Sequence, residues 1–134
     1  MAGGFTNYLI DKLNDHAFGG GDFTRPATVY LALTSTVPTK GAAGTELSGN
    51  GYARKAVTNN ATNFPASANG AKSNGTDIVF ATATGNWAEA KGAEIYDDPT
   101  AGNRLGWAEL PVYKTVQSGD TAKILAGELD ITIT

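Results

Sequence analysis

The chain has 134 residues, no cysteine, a single histidine and a formal net charge of −3. Without Cys, neither a disulfide framework nor a thiolate metal site can form, and a slightly acidic balance argues against a nucleic-acid partner, which usually wants a basic face. Charged residues make up only 17% of the chain, below the usual quarter or so, and Gly, Ala, Thr and Asn take their place, as in a protein of many turns and short strands.

A chain of this length is expected to form one domain over residues 1–134, large enough to bury a core without staples. Met1 to Tyr8 has neither a basic n-region nor an apolar h-region, so it does not read as a signal peptide. No stretch is long and apolar enough to span a membrane.

Phe5, Leu9, Leu13 and Ala17 recur every four residues, with Asp11, Lys12, Asn14 and Asp15 on the other side. This predicts a short amphipathic helix over about 5–18. Thr6 or Asn7 can cap its start, and Gly19-Gly20-Gly21 ends it. It reads as a helix docked on its own sheet, or as an arm packing on a neighbouring subunit. Val29, Leu31 and Leu33 then alternate with Thr28, Tyr30 and Ala32, a strand over 27–34 with one buried face. Residues 35–51 read as loop, with Pro38 and the turn pair Asn50-Gly51. Tyr52–Thr58 is a second strand. Asn59–Gly75 is the least structured stretch, a loop long enough to serve an interface. Thr76–Ala81 is a short strand.

From Trp87 to Leu110, two runs with large apolar residues flank Asp97-Asp98-Pro99-Thr100-Ala101-Gly102-Asn103. This is a hairpin, and it is expected to form the centre of a sheet core. Val112–Val116 is β-rich but interrupted, Ser118-Gly119-Asp120 is a turn, and Thr121–Leu125 starts another strand. Leu129, Ile131 and Ile133 alternate with Asp130, Thr132 and Thr134, so all three apolar residues are expected in the core sheet. One helix and many turn-punctuated strands predict a mainly β, antiparallel sandwich or jelly roll with one short N-terminal helix.

Candidate chemistry is sparse. His16 has no second His and no evident nucleophile nearby, and Gly19-Gly20-Gly21-Asp22 lacks the following Lys of a phosphate loop. Asp97, Asp98 and Asn103 offer the oxygen ligands of a hard cation, but at no recognised spacing and in a turn that favours them anyway. Glu89, Glu94, Glu109 and Glu128 form no evident acid–base pair. Trp87 and Trp107 are candidates for a sugar-stacking platform, against the commoner role of Trp in a hairpin core. The residues therefore predict no catalytic, cofactor-binding or metal site.

One ordered set of segments adds to this. It comprises Pro26–Leu33, Thr45-Glu46-Leu47-Ser48-Gly49-Asn50-Gly51-Tyr52-Ala53-Arg54, Val57–Pro65, Ile78–Trp87 and Lys114–Thr121. In this order they resemble a widespread family of small virion proteins of tailed bacteriophages, usually labelled tail-fibre proteins. The resemblance runs from Phe5 to Thr134 and implies a structural role in a phage particle. There is one departure. Family members tend to carry an aromatic residue and a Gly before the Ile-aromatic-Asp step, where this chain has Ala93-Glu94 before Ile95-Tyr96-Asp97. A Glu in that place needs room or a partner.

Small size, low charge and the lack of a fibrous repeat favour a capsid-decoration (cement) protein, a trimer seated on the major capsid protein. The Asn59–Gly75 loop or the Phe5–Phe18 helix would then supply the contact. The alternative is a tail-fibre or baseplate component touching other tail proteins or a host surface receptor, although no coiled-coil segment is present. The shortage of paired carboxylates disfavours a carbohydrate-active enzyme or free lectin. Either main reading places the protein in the virion, assembled in the host cytoplasm, with no nucleic-acid or membrane partner.

Overall fold

The computed structural model describes residues 1–133. Its elements are β1 (Ala2–Phe5), α1 (Asn7–Ala17), β2 (Thr28–Thr34), β3 (Lys55–Thr58), β4 (Ala71–Ser73), β5 (Ile78–Val79), β6 (Ala90–Tyr96), β7 (Arg104–Lys114), β8 (Lys123–Ile124) and β9 (Asp130–Thr132). Five strands form one sheet in the order β1-β7-β6-β2-β3, and two ribbons, β4-β9 and β5-β8, complete the β-structure. Every strand pairing is antiparallel. The protein is mainly β with one short helix, as its patterning predicts.

The β6–β7 hairpin occupies the middle of the sheet, with β1 on the outer side of β7 and β2 on the outer side of β6. β2 lies beside β6, and its Val29, Leu31 and Leu33 point to one face. Ala93 and Ile95 pair with Leu33 and Leu31 on that face. One apolar cluster joins them to Ile78, Phe80, Trp87, Ile124 and Leu129 from the ribbons and connecting segments. Full burial of each Leu or Ile contributes about 1.5–3 kcal/mol, so this shared core binds the ribbons to the sheet.

Several details depart from expectation. β1 has no signature in the sequence, because Gly3-Gly4 shows no side-chain pattern. Those glycines let β1 lie close on β7: a Cβ on Gly3 would come within 2.0 Å of the Trp107 carbonyl oxygen. Thr6 caps α1 by accepting the Leu9 N–H at 3.4 Å. At the other end Gly19 and Gly20 adopt φ of 101° and 121°, and the Gly20 and Gly21 N–H groups donate to the Asp15 carbonyl at 3.1 and 3.0 Å. The helix meets β1 and β7 through its first turn, where Tyr8 and Leu9 are half-buried; no helix residue is fully buried.

The strand expected at Tyr52 begins only at Lys55. Tyr52 instead turns inward, and its hydroxyl accepts the Leu33 N–H at 3.0 Å, where a longer β3 would have supplied a backbone partner. Within the Asn59–Gly75 stretch, β4 forms and Asn74 is buried. The Asn74 amide donates to the Thr76 and Leu125 carbonyls at 2.9 and 3.0 Å and accepts the Leu129 N–H at 3.0 Å. β7 passes through Pro111 without stopping, because four residues, Leu110–Tyr113, there face Lys91 alone across a register shift. Pro111 sits in that bulge, where no ladder N–H is needed.

The C-terminal strand does not join the five-stranded sheet but pairs with β4 in a ribbon; its alternation still buries Leu129 and half-buries Ile131 against the core. The alternation fails at Ile133, which is 61% exposed. Pairing of β9 with β4 ends at Thr132, so no strand continues beside Ile133 to cover it. Thr134, the last position of that pattern, lies outside the described residues.

Candidate functional site

The sheet's second face, opposite the core, carries Tyr30, Ala32 and Thr34 of β2. Beside them the cross-strand register aligns Glu94 and Tyr96 of β6 with Trp107 and Arg104 of β7. Glu94 is fully buried, because the 35–46 connection folds back over this face. Pro38 packs where Gly92 leaves room, since a Cβ there would lie 2.3 Å from the Pro38 Cδ. Gly44 reaches in beside Thr34 for the same reason.

A buried carboxylate needs partners, and Glu94 has three. Its oxygens accept the Gly44 N–H and the Tyr96 hydroxyl, each at 3.3 Å, and the Arg104 Nη1 lies 3.1 Å away. Arg104 also donates from Nη2 to the Lys40 carbonyl at 3.4 Å. Burial pushes the Glu94 carboxyl above its ordinary range, against the opposing pull of Arg104 and the two hydrogen bonds.

A second ion pair adjoins the first. The Arg54 guanidinium lies 3.7 Å over the Tyr96 ring. It donates to the Glu46 carboxylate from Nε at 3.0 and 3.2 Å and from Nη2 at 2.9 Å. Its Nη1 donates to the Asp98 and Ala101 carbonyls, both at 2.8 Å, which fastens the hairpin loop. Tyr52 donates to Glu46 at 2.8 Å, and burial drives its hydroxyl pKa upward. The edge of the Tyr52 ring meets Trp87 at 5.3 Å. Glu94, Arg104, Tyr96, Arg54, Glu46 and Tyr52 thus form one ionic cluster fastening the 35–46 and 97–103 connections to the sheet.

Both carboxylates in this cluster are held by guanidinium groups, and burial favours the neutral form of each tyrosine hydroxyl. The arrangement offers neither a free base nor an activated nucleophile, and what it can do is hold backbone in place. Sequence patterning missed the cluster except at Glu94, whose place in a usual Gly position pointed to a partner. Glu46, Tyr52 and Arg54 all lie in the Thr45–Arg54 segment that carries part of the family resemblance.

The remaining candidates are dispersed. His16 accepts the Phe23 N–H at 3.1 Å through Nδ1 and so supports the turn after α1. Asp97 accepts from the Asn103 backbone and side chain at 2.7 and 3.1 Å. Asp98 accepts the Thr100 and Ala101 N–H groups at 3.0 and 3.2 Å, bonds that lower its pKa. These oxygens are spent on the turn. Among the described residues no group of three or more acidic or His side chains could hold a metal ion. Glu109 accepts the Tyr113 hydroxyl at 2.8 Å and Glu128 the Leu125 N–H at 3.3 Å, far from Glu94 in role. Trp87 belongs to the core and donates to the Asn50 carbonyl at 2.9 Å, whereas Trp107 stands on the opposite face beside Glu94. The two indoles therefore share no platform.

The family model described as "Podophage GP4 fiber I protein gp80" matches residues 4–132, from β1 to the end of β9 and across the whole ionic cluster. The chain belongs to this podophage fibre family. The protein is accordingly a structural component of a bacteriophage virion, as the resemblance implied. No curated protein matches the chain significantly. Within this fibre family the match favours the tail-fibre alternative over the capsid-decoration reading, since the description names a fibre and not the head. Among the described residues of the fibre protein, no helix is long and apolar enough to cross a membrane.

Proposed function

We propose that this protein is a non-catalytic building block of a podophage tail fibre, joined to other tail proteins. The observation that carries this reading is the fibre-family match over residues 4–132. The ionic cluster supports it. Two arginine–carboxylate pairs and an aromatic stack are used to fasten connections, as suits a part that must keep one shape under load. Bidentate and charge-assisted hydrogen bonds add geometric specificity of that kind.

Location is the test. Antibody against the purified protein should label the tails of intact virions, and quantitative mass spectrometry should find few copies relative to the major capsid protein. Label spread over the head, with copies numerous enough to tile a shell, would overturn the fibre reading and restore decoration of the capsid.

A further inference from the structure

Three asparagines in this chain precede a glycine: Asn50-Gly51, Asn69-Gly70 and Asn74-Gly75. Such a pair is chemically reactive. The glycine nitrogen can close a five-membered ring on the asparagine Cγ, and with no Cβ on the glycine little hinders the approach. Once it has lost its proton, that nitrogen attacks Cγ. A new Cγ–N bond forms, the Cγ–Nδ2 bond breaks, and Nδ2 takes up a proton and leaves as ammonia. Water then opens the cyclic imide. Opening at Cγ gives aspartate, and opening at the main-chain carbonyl gives isoaspartate. The dipeptide makes the three sites equal. The fold does not.

The attack needs a side-chain amide free to turn, an asparagine carbonyl free to swing as the backbone rotates, and a glycine nitrogen without a hydrogen-bond partner. Asn74 has none of these. It is buried, and its amide is bonded through both nitrogen and oxygen. Its main-chain carbonyl accepts the Gly127 N–H at 2.7 Å, and the Gly75 N–H donates to the Asn63 carbonyl at 2.7 Å. At Asn50 the side-chain amide donates to the Asn86 carbonyl at 2.8 Å. The Asn50 main-chain carbonyl accepts the Thr84 N–H at 3.0 Å and the Trp87 Nε1–H at 2.9 Å, so the backbone cannot rotate there without breaking both. Asn69 has all three freedoms. It is exposed at the tip of a two-residue hairpin loop, with φ of 52° at Asn69 and 78° at Gly70, as the tightest hairpin turns require. Ala68 and Ala71 hold that turn by exchanging N–H bonds to each other's carbonyls at 2.9 and 3.0 Å. Neither bond involves Asn69 or Gly70, and a Cβ on Gly70 would meet nothing within 4 Å. We propose that Asn69 is the site at which this protein modifies itself, without an enzyme, to aspartate and isoaspartate. Each converted copy gains one negative charge at the tip of this loop. The reaction is independent of whether the protein sits in a fibre or elsewhere in the virion.

Storage of the full chain at mildly alkaline pH, followed by peptide mass spectrometry, tests the idea. Conversion at Asn69 should run roughly tenfold or more faster than at Asn50 or Asn74, because those sites must first break several hydrogen bonds. In concentrated urea the three rates should converge, since only the fold separates them. A methyltransferase specific for isoaspartate should label the Asn69 peptide, which marks the route through the ring. Asn69→Gln should remove the first acidic species seen on ion exchange, and melting curves check that this variant remains folded. A folded chain that stays unmodified at Asn69, or converts as fast at Asn50 or Asn74, overturns the proposal. So does an order of rates that persists in urea, an Asn69 product with no isoaspartate, or an early acidic species that survives Asn69→Gln.

Discussion

Two parts of the β6–β7 hairpin reverse the usual placing of side chains. Near its loop, Glu94 and Arg104 are a charged pair closed off from water under the 35–46 connection, at 0% and 12% side-chain exposure. Farther along the same strands, Val112 and Tyr113 are apolar and in the open. The first region finds its charge partner within the chain, although the Arg104 Nη1 and the neighbouring Trp107 Nε1 are buried without a hydrogen-bond acceptor. The second stays largely open among the described residues, with Tyr113 touched only at its hydroxyl by Glu109 and at its ring by Lys91. The contrast separates two kinds of surface: buried charge fixes how the chain's loops lie on its sheet, whereas the far end of β7 adds apolar side chains that the fold leaves exposed.

The largest effect should come from breaking the closed region. Arg104→Met removes the cation facing a fully buried carboxylate, which typically costs about 3–5 kcal/mol. Urea unfolding at neutral pH should show it, and a loss below about 1 kcal/mol would mean that water reaches Glu94. Gly92→Ala should come next. Its Cβ would sit 2.3 Å from the Pro38 Cδ and 2.6 Å from the Thr34 Oγ1, and overpacking of this kind costs about 1–3 kcal/mol. Limited proteolysis should then cut faster within residues 36–44, whereas an unchanged rate would show that the connection moves aside freely.

Glu94→Gln sharpens the comparison through pH. Burial raises the folded-state pKa of Glu94 above its ordinary value of 4.5. The folded protein thus binds that proton more tightly than the unfolded chain does. The contribution is complete below the unfolded value and is lost as pH rises through the folded one. Denaturant melts should show the wild type losing stability relative to Glu94→Gln over that window, with little difference at its acid end. A gap that changes in the opposite sense would mean that Arg104, not desolvation, governs the group. The smallest effect belongs to the open region. Val112→Ser should shift single-copy stability by no more than about 0.5 kcal/mol, measured dilute by thermal melting, and a larger drop would place Val112 in the fold's own core.

What the sequence showed and hid follows from how far each determinant reaches. β2 was legible because Val29, Leu31 and Leu33 carry their own period, and the hairpin because Asp, Pro, Gly and Asn punctuate it. β1 was not legible. Gly3 and Gly4 carry no pattern, and their partners Ala108 and Trp107 lie at the other end of the chain. Ile133 kept the alternation of Leu129 and Ile131, but alternation does not say where the neighbouring strand stops. Within the ionic cluster, Glu94 drew notice because a carboxylate stood where the family tends to keep Gly. Its partner Arg104 and cover Gly44 come from separate segments, and no local spacing links them. Glu46 and Arg54 flank Asn50-Gly51, a pair that signals the turn but carries no sign of its ionic clasp.

The Asn74 side chain carries a consequence for chemical ageing. Asn74 precedes Gly75, a dipeptide prone to lose its amide as ammonia and become aspartate. Here that change would set a carboxylate oxygen against the Thr76 and Leu125 carbonyls, which now receive the amide at 2.9 and 3.0 Å. Two attractions would become two repulsions in a buried place. Because the amide lies inside and both its nitrogen and its oxygen are hydrogen-bonded, the fold holds this asparagine where the change would be costly. Asn69-Gly70, exposed on the neighbouring loop, can lose its amide with little structural penalty.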